Sequence, residues 1–397
     1  MNKYFKENTL FFGLLTPIFL LVNGVLGFYL GVSLDDDSQR YLGYAEEMRE
    51  RGLFFKPHDF WYIGYPLFIL LMQTAHSSLE MVVVGQVMVS YVALWGIYKA
   101  GKTLFSDNKA GLVAGFLFLG FVMITYWNFW ILCESMLISL NSLVFSLLVL
   151  WQVKKDKRYL VFGLLIFALA FFTKPTGVAL LAAVLVLIFR KLWMFLPNAA
   201  IKTSLTLFGL LAFFFLLNQM LTTFGYVDDY QRGEIVYNIH KLTHEPYAKY
   251  LIVTSPEDLY IPPSHFPALA QFILVIFGNP LYSFQLIFTK LFFYLLYIRP
   301  YFSFYHNGLA LLFLVPVYLG FIKEMKGKGL PDLIKLFVGV FIGVNVLSSV
   351  LLTVDWNSRF LVSVLPVVFV IASAQLLNFL MKIQGSCFFQ RPKLNPY

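Results

Sequence analysis

The chain has 397 residues, of which 59% are hydrophobic, 19% aromatic and 13% charged, with a formal net charge of +9. A soluble globular domain carries about a quarter charged residues, so the composition excludes that class and points to a polytopic membrane protein. The positive balance by itself invites a nucleic-acid partner, but its distribution along the chain excludes that reading as well.

Mostly apolar runs recur along the whole length, near the ~20 residues a helix needs to cross a ~30 Å hydrocarbon layer. The alternating pattern of a membrane β-barrel is absent. The fold expected is therefore an all-α polytopic membrane protein. We predict ten spanning helices, at roughly 10–31, 79–98, 110–127, 130–151, 159–175, 176–189, 203–222, 308–322, 333–353 and 360–381. The first run follows Lys3 and Lys6 and is too long for a signal-peptide core, so it reads as a retained helix. With the N-terminus inside, nineteen of the 30 Lys and Arg but only five of the 21 acids fall in cytoplasmic segments. This bias obeys the positive-inside rule, places both termini in the cytoplasm and explains the positive charge as topology.

Residues 32–78 form a first extracytoplasmic loop and hold the densest cluster of ionisable groups. If Asp37 begins a helix, Arg40, Tyr41, Tyr44 and Met48 share one side of it, and Glu46, Glu47 and Glu50 occupy the other. Such a helix is expected to lie on the membrane with its apolar stripe down, presenting Asp37 and Arg40 at the lipid boundary. Asp36 is either a second candidate base or a helix-capping acid. His58, beside Asp59, is either plain loop polarity or a contact for sugar or acceptor. Gly64, Tyr65 and Pro66 then start an apolar piece, 67–75, too short to span.

Cys133 lies in an apolar run and Cys387 in the polar tail, so no disulfide framework is expected. Glu134, near the outer end of the fourth span, is either an acid favoured by the helix macrodipole or a cavity-facing carboxylate for a sugar hydroxyl. Asn141, two turns on along the same face, would steady a neighbouring helix. Lys174, where Pro175 and Gly177 turn the chain back, reads as a snorkelling lysine or a ligand-binding cation. Arg359 follows Asp355 by four residues, the spacing of a helical ion pair. In this topology Arg40, Lys174 and Arg359 share one face of the membrane, as a lipid-linked phosphate would require. Lys290 and Arg299 are further candidates.

The second extracytoplasmic loop spans 223–307. Within it, Ser255, Pro256, Glu257 and Asp258 predict a helix start. Gly278, Asn279 and Pro280 divide an apolar region into 267–277 and 281–298, expected as interfacial helices because a crossing there would reverse the charge bias that follows. His240 and His244, followed by Glu245, have the spacing of two metal ligands on one helix face. A third ligand in register is missing, so no cofactor is assigned and a divalent metal stays an unsupported option. Gly-rich phosphate loops and nucleotide signatures are absent, which disfavours a nucleotide-driven pump. The chain reads as one membrane domain, 1–397, with two loop subdomains.

Asp37-Ser38-Gln39-Arg40-Tyr41 resembles the acid-led motif in the first outer loop of the GT-C superfamily of membrane glycosyltransferases, which includes protein O-mannosyltransferases and lipid A aminoarabinose transferases. Trp61 to Phe68 is similar to their Gly-Tyr-Pro helix entry, and Cys133 to Leu137 to a glutamate-bearing helix start. Thr173-Lys174-Pro175 and Arg359-Phe360 with Pro366 resemble two further motifs in the same order. Ser38 stands where many relatives carry a second acid. The resemblance implies a bundle of about ten transmembrane helices with two extracytoplasmic loop subdomains, a polyprenyl-phosphate sugar donor, and Asp37 as catalytic aspartate.

The residues themselves suit that chemistry. Hydrolysing an ordinary glycoside takes two carboxylates because its leaving group must be protonated. A phosphate leaves readily among cations, so one base on the acceptor hydroxyl suffices. The expectation is an inverting glycosyltransferase with Asp37 as base, Arg40, Lys174 and Arg359 on the donor phosphate, and Glu134, Tyr41, Tyr65 and His58 toward sugar or acceptor. The acceptor is a glycan, lipid or protein. A flippase of lipid-linked sugars and a polysaccharide polymerase or ligase are the alternatives. With no Asn-x-Ser/Thr sequon in the chain, a bacterial inner membrane is expected, with the site outside the cytoplasm.

Overall fold

The structure is a computed structural model that describes residues 8–53, 59–196, 198–222, 226–352 and 356–383. The described residues are helical, with two isolated β-bridges and no strand. In chain order the helices are α1 Phe11–Leu30, α2 Asp36–Arg51, α3 Gly64–Ala75, α4 Leu79–Phe105, α5 Asn108–Gly120, α6 Met123–Phe129, α7 Cys133–Lys154 and α8 Lys157–Phe171. There follow α9 Val178–Phe195, α10 Ala199–Leu221, α11 Tyr226–Gln231, α12 Ala268–Gly278, α13 Pro280–Leu296, α14 Phe304–Lys326, α15 Asp332–Leu351 and α16 Leu365–Ile383.

Eight helices among the described residues are long and apolar enough to cross a membrane, or up to ten if two bent pairs each count as one span. This bears out a polytopic all-α membrane protein and corrects the boundaries in two places. The expected span 110–127 is broken, with α5 and α6 meeting at 59°. The expected span 159–175 is the 15-residue α8, which stops at Phe171. The piece 67–75 falls in the short α3, and Asn279 separates α12 from α13 at an angle of 101°.

The described parts of 1–181, 313–341 and 362–397 form one compact unit, and those of 182–312 and 342–361 form another. In the first unit α4 packs on α5 and α7, α7 on α8, and α16 on α5 and α4. Glycine permits the close approach of α4 and α5: a Cβ at Gly111 would sit 2.6 Å from the Tyr98 carbonyl oxygen. Turns between helices are capped locally, by Asp107 before α5 and Asp156 before α8, whose carboxylates accept from backbone N–H groups.

The helix expected near Asp37 is present as α2, and the foreseen stripe of Tyr41, Tyr44 and Met48 is buried, joined by Ala45. The stripe meets protein rather than lipid. Tyr44 and Met48 cluster with Ile63, Leu70 and Phe172, so their apolar surface is already covered.

In the second unit α11, α12 and α13 enclose a core of Tyr230, Ile235, Val236, Ile239, Val275, Tyr282 and Leu286. Residues 255–258 form no helix, contrary to the predicted start; Glu257 and Asp258 sit in a turn.

Candidate active site

The site grows from the start of α2. Asp35, not Asp36, is the N-cap: its carboxylate accepts from the Asp36 N–H at 2.8 Å, and its own N–H donates to the Ser38 hydroxyl at 2.9 Å. Ser38 thus closes a capping box, fixing the helix register from which Asp37 and Arg40 project. Asp36 is exposed in the first turn.

Asp37 Oδ1 stands 3.8 Å from Arg40 Nη1. The Arg40 guanidinium lies 4.7 Å from the Tyr62 ring centre and 5.1 Å from that of Tyr41, so two aromatic faces hold it. Beneath it, Tyr41 Oη is 3.2 Å from Cys133 Sγ. The Cys133 thiol donates to Glu134 Oε2 at 3.8 Å, and Lys174 Nζ donates to Glu134 Oε1 at 2.6 Å. A line of polar contacts therefore descends from a half-exposed ion pair to a buried one. Burial, then the neighbouring Cys133 and Glu134, pushes the Tyr41 phenol well above its ordinary value. Burial also raises Tyr62, with Lys174 working against it. Both hydroxyls stay protonated at neutral pH and can donate hydrogen bonds.

Three connections hold these groups in place. Ser33 pairs with the turn after α6: its N–H donates to the Phe129 carbonyl at 2.8 Å and its carbonyl accepts from Ile131 N–H at 3.0 Å. The Gly64 N–H donates to the Phe172 carbonyl at 2.8 Å, drawing the start of α3 to the end of α8. A Cβ at Gly64 would lie 3.0 Å from that oxygen, tighter than nearly all real contacts. The third connection is the buried Gln86 of α4. It accepts from Tyr65 Oη at 2.8 Å and donates to the carbonyls of Asn128 at 2.9 Å and Trp130 at 3.0 Å. Asn128 bonds onward to Asn23 at 2.9 Å and accepts from Ser135 at 2.7 Å, which sets the first turn of α7 where Glu134 stands.

Asp37, Arg40, Tyr41, Tyr65, Glu134 and Lys174 all belong to the first unit. Tyr65 sets its ring 5.2 Å from that of Tyr41 and commits its hydroxyl to Gln86. Glu134 and Lys174, read separately from the sequence, are partners. Asn141 donates to the Ser363 carbonyl at 3.5 Å. His58 and Asp355 lie outside the described residues, and Arg359 belongs to the second unit, at the start of the short turn Arg359–Val362. Tyr62, Cys133 and Gln86 are contacts that sequence reasoning missed. A glutamine inside an apolar span was the signal for Gln86, since its amide needs partners there.

In the second unit Ile239–Leu242 is a single 3-10 turn, so His240 and His244 do not share an α-helical face. His240 bonds Glu234 instead, and His244 lies 3.5 Å from Glu245. Among the described residues no group of three or more His, Cys, Asp or Glu could hold a metal ion. Arg232 pairs with Asp229 and stands 3.4 Å from Glu234. Burial, then the Glu234 charge, pushes the Asp229 carboxyl above its ordinary value.

Residues 63–218 match the family model of dolichyl-phosphate-mannose-protein mannosyltransferase. The match includes Tyr65, Glu134 and Lys174 and begins after Asp37 and Arg40. No curated protein and no solved structure matches the chain. With its eight to ten candidate spans, the chain is a multi-pass membrane protein whose residues 63–218 match the model of a GT-C type glycosyltransferase family.

Proposed function

We propose that the chain transfers a sugar from polyprenyl phosphate to an acceptor hydroxyl with inversion, using Asp37 as general base. The observation that carries this reading is the pairing of the half-exposed Asp37 and Arg40, connected through Tyr41 and Cys133 to the buried Glu134 and Lys174. Asp37 takes the acceptor proton as the acceptor oxygen bonds the anomeric carbon, and the bond from that carbon to the phosphate oxygen breaks. The electron pair leaves with polyprenyl phosphate, whose growing charge Arg40 meets with a planar fork already held by two tyrosines. Attack from the opposite side of the departing phosphate inverts the anomeric centre.

Lys174 supplies a second cation for the phosphate. Its ammonium is held by Glu134 until a donor competes for it, and Glu134 can then accept from a sugar hydroxyl alongside Tyr41 and Tyr65. Asp36 is the fallback base. Arg359 is proposed as a phosphate contact in its own right, through the loop that carries it. A bacterial inner membrane with the site facing outward suits the distribution of Lys and Arg.

The test is a transfer assay in nanodiscs with radiolabelled undecaprenyl-phosphate sugars, comparing the unmodified protein with Asp37→Asn. Release of undecaprenyl phosphate by the unmodified protein alone supports both the class and the base. Consumption by both removes Asp37 from the role. Movement of labelled lipid between leaflets without consumption makes the chain a transporter.

A further inference from the structure

The second unit contains two buried cations, Lys290 on α13 and Arg299 just after it, and Arg299 reaches the residue directly before Arg359. Lys290 Nζ donates to the Leu352 carbonyl. Arg299 Nη2 donates to the Ser358 hydroxyl at 2.5 Å, while its Nη1 donates to the carbonyls of Phe293 at 2.6 Å and Ile298 at 2.8 Å. Two more contacts act on the same segment. Tyr301 Oη accepts from the Asn357 N–H at 3.2 Å, and the Trp356 indole donates to the Tyr237 carbonyl at 2.9 Å.

The backbone that these groups hold is unusual. Asn357 and Ser358 both have positive φ, 57° and 50°, a left-handed pair of non-glycine residues directly before Arg359. Each residue in that region carries a conformational cost and persists only where its surroundings over-determine it. Arg299 supplies that determination by fixing the second residue of the pair. Phe293 and Ile298, its other acceptors, tie the same guanidinium to the end of α13, so the Ser358 hydroxyl is referenced to a helix rather than to a loop.

We propose that Arg299 is a positioning residue that holds the 356–358 turn in a conformation presenting Arg359 to the phosphate of a lipid-linked ligand. This rests on the reading of Arg359 as a phosphate contact. An arginine side chain is long and rotamer-rich, so its affinity for an anion depends on how much ordering remains to be done when the ligand arrives. A base fixed in advance removes part of that cost.

The experiment measures binding of radiolabelled undecaprenyl phosphate to the full chain in nanodiscs of zwitterionic lipid. Arg359→Ala sets the reference loss. Ser358→Ala removes one hydroxyl, and Arg299→Lys keeps the charge but not the three-acceptor fork; each is expected to weaken affinity about three- to tenfold. Adding Ser358→Ala to Arg359→Ala is expected to cause no further loss, because the hydroxyl acts only through Arg359. Unchanged affinity in Ser358→Ala, or losses that add in full, overturns the proposal, whether or not Arg299→Lys folds. Lower thermal stability with unchanged affinity of the folded fraction makes the role structural and overturns it too. If Arg359→Ala itself binds as the unmodified protein does, the phosphate reading of Arg359 falls, and the positioning role with it.

Discussion

Asp37 and Arg40 stand 3.8 Å apart with side chains 41% and 36% exposed, whereas Glu134 and Lys174 close to 2.6 Å with 3% and 8% exposed. The first pair is long, solvated and worth about 0–1 kcal/mol, so a ligand can take either partner at little expense. Glu134 and Lys174 have lost most of their water, and each now depends on the other. Removing one strands a buried charge, which costs about 3–5 kcal/mol even though the intact pair adds little net stability. One fold thus keeps a solvated pair on α2 and a buried, mutually dependent pair between Glu134 and Lys174. Asp37 can take up a proton without stranding a buried partner, whereas protonating Glu134 would leave Lys174 buried without its counter-charge.

That contrast can be broken most sharply at Asp37. Asp37→Asn is expected to lower the transfer rate by about 10²- to 10⁴-fold, the usual contribution of a positioned base. Its melting temperature in detergent should stay close to that of the unmodified protein. A large thermal loss with activity retained would reverse the assignment of the two pairs.

At Glu134 the pattern inverts. Glu134→Ala should destabilise the first unit by about 3–5 kcal/mol in chemical denaturation, because Lys174 is left buried. Replacing both, with Glu134→Leu and Lys174→Met, should recover most of that stability and none of the transfer. Recovery of neither would mean that the pair holds the fold by packing rather than by charge.

A smaller effect is expected one layer further in. Tyr65→Phe removes the hydroxyl that Gln86 accepts, and one unmade buried bond costs about 1–3 kcal/mol. If the network places Glu134, kcat should fall along with stability. A fall in stability alone would confine Gln86 and Tyr65 to packing.

The smallest change belongs to the second unit. Asp229 carries a carboxyl raised by burial and by Glu234, so the folded state favours its neutral form. Its contribution to stability is complete below the ordinary carboxylate pKa and is lost as pH rises toward the folded value. Asp229→Asn should therefore melt at a slightly higher temperature at pH 7 and lose that advantage toward pH 4. An advantage independent of pH would trace to packing instead.

Much of this was legible in the sequence because it depends on local pattern. Apolar runs of spanning length, the stripe through Tyr41, Tyr44 and Met48, the shortness of α3 and the break at Asn279 all follow from composition within a window of a few turns. Local pattern misled where a competing partner lay elsewhere in the chain. The stripe of α2 looked like a lipid face until Ile63, Leu70 and Phe172 covered it. His240 and His244 looked like helix neighbours until a 3-10 turn separated them. Asp36 looked like a cap, but the cap falls one residue earlier, where Ser38 can reach back to the Asp35 N–H.

The sequence by itself determined that this chain lives in a membrane as many helices, that an acid and a base share one turn of a surface helix, and that Glu134 and Lys174 need an explanation. Those conclusions rest on hydrophobic length and on helical spacing, which neighbours along the chain decide. Only the tertiary structure decided that Glu134 and Lys174, forty residues apart, explain each other. It also decided that Gln86 ties Tyr65 to the turn before α7. Partners of buried polar groups are chosen by which chain segments approach in three dimensions, and one-dimensional spacing carries no record of that approach.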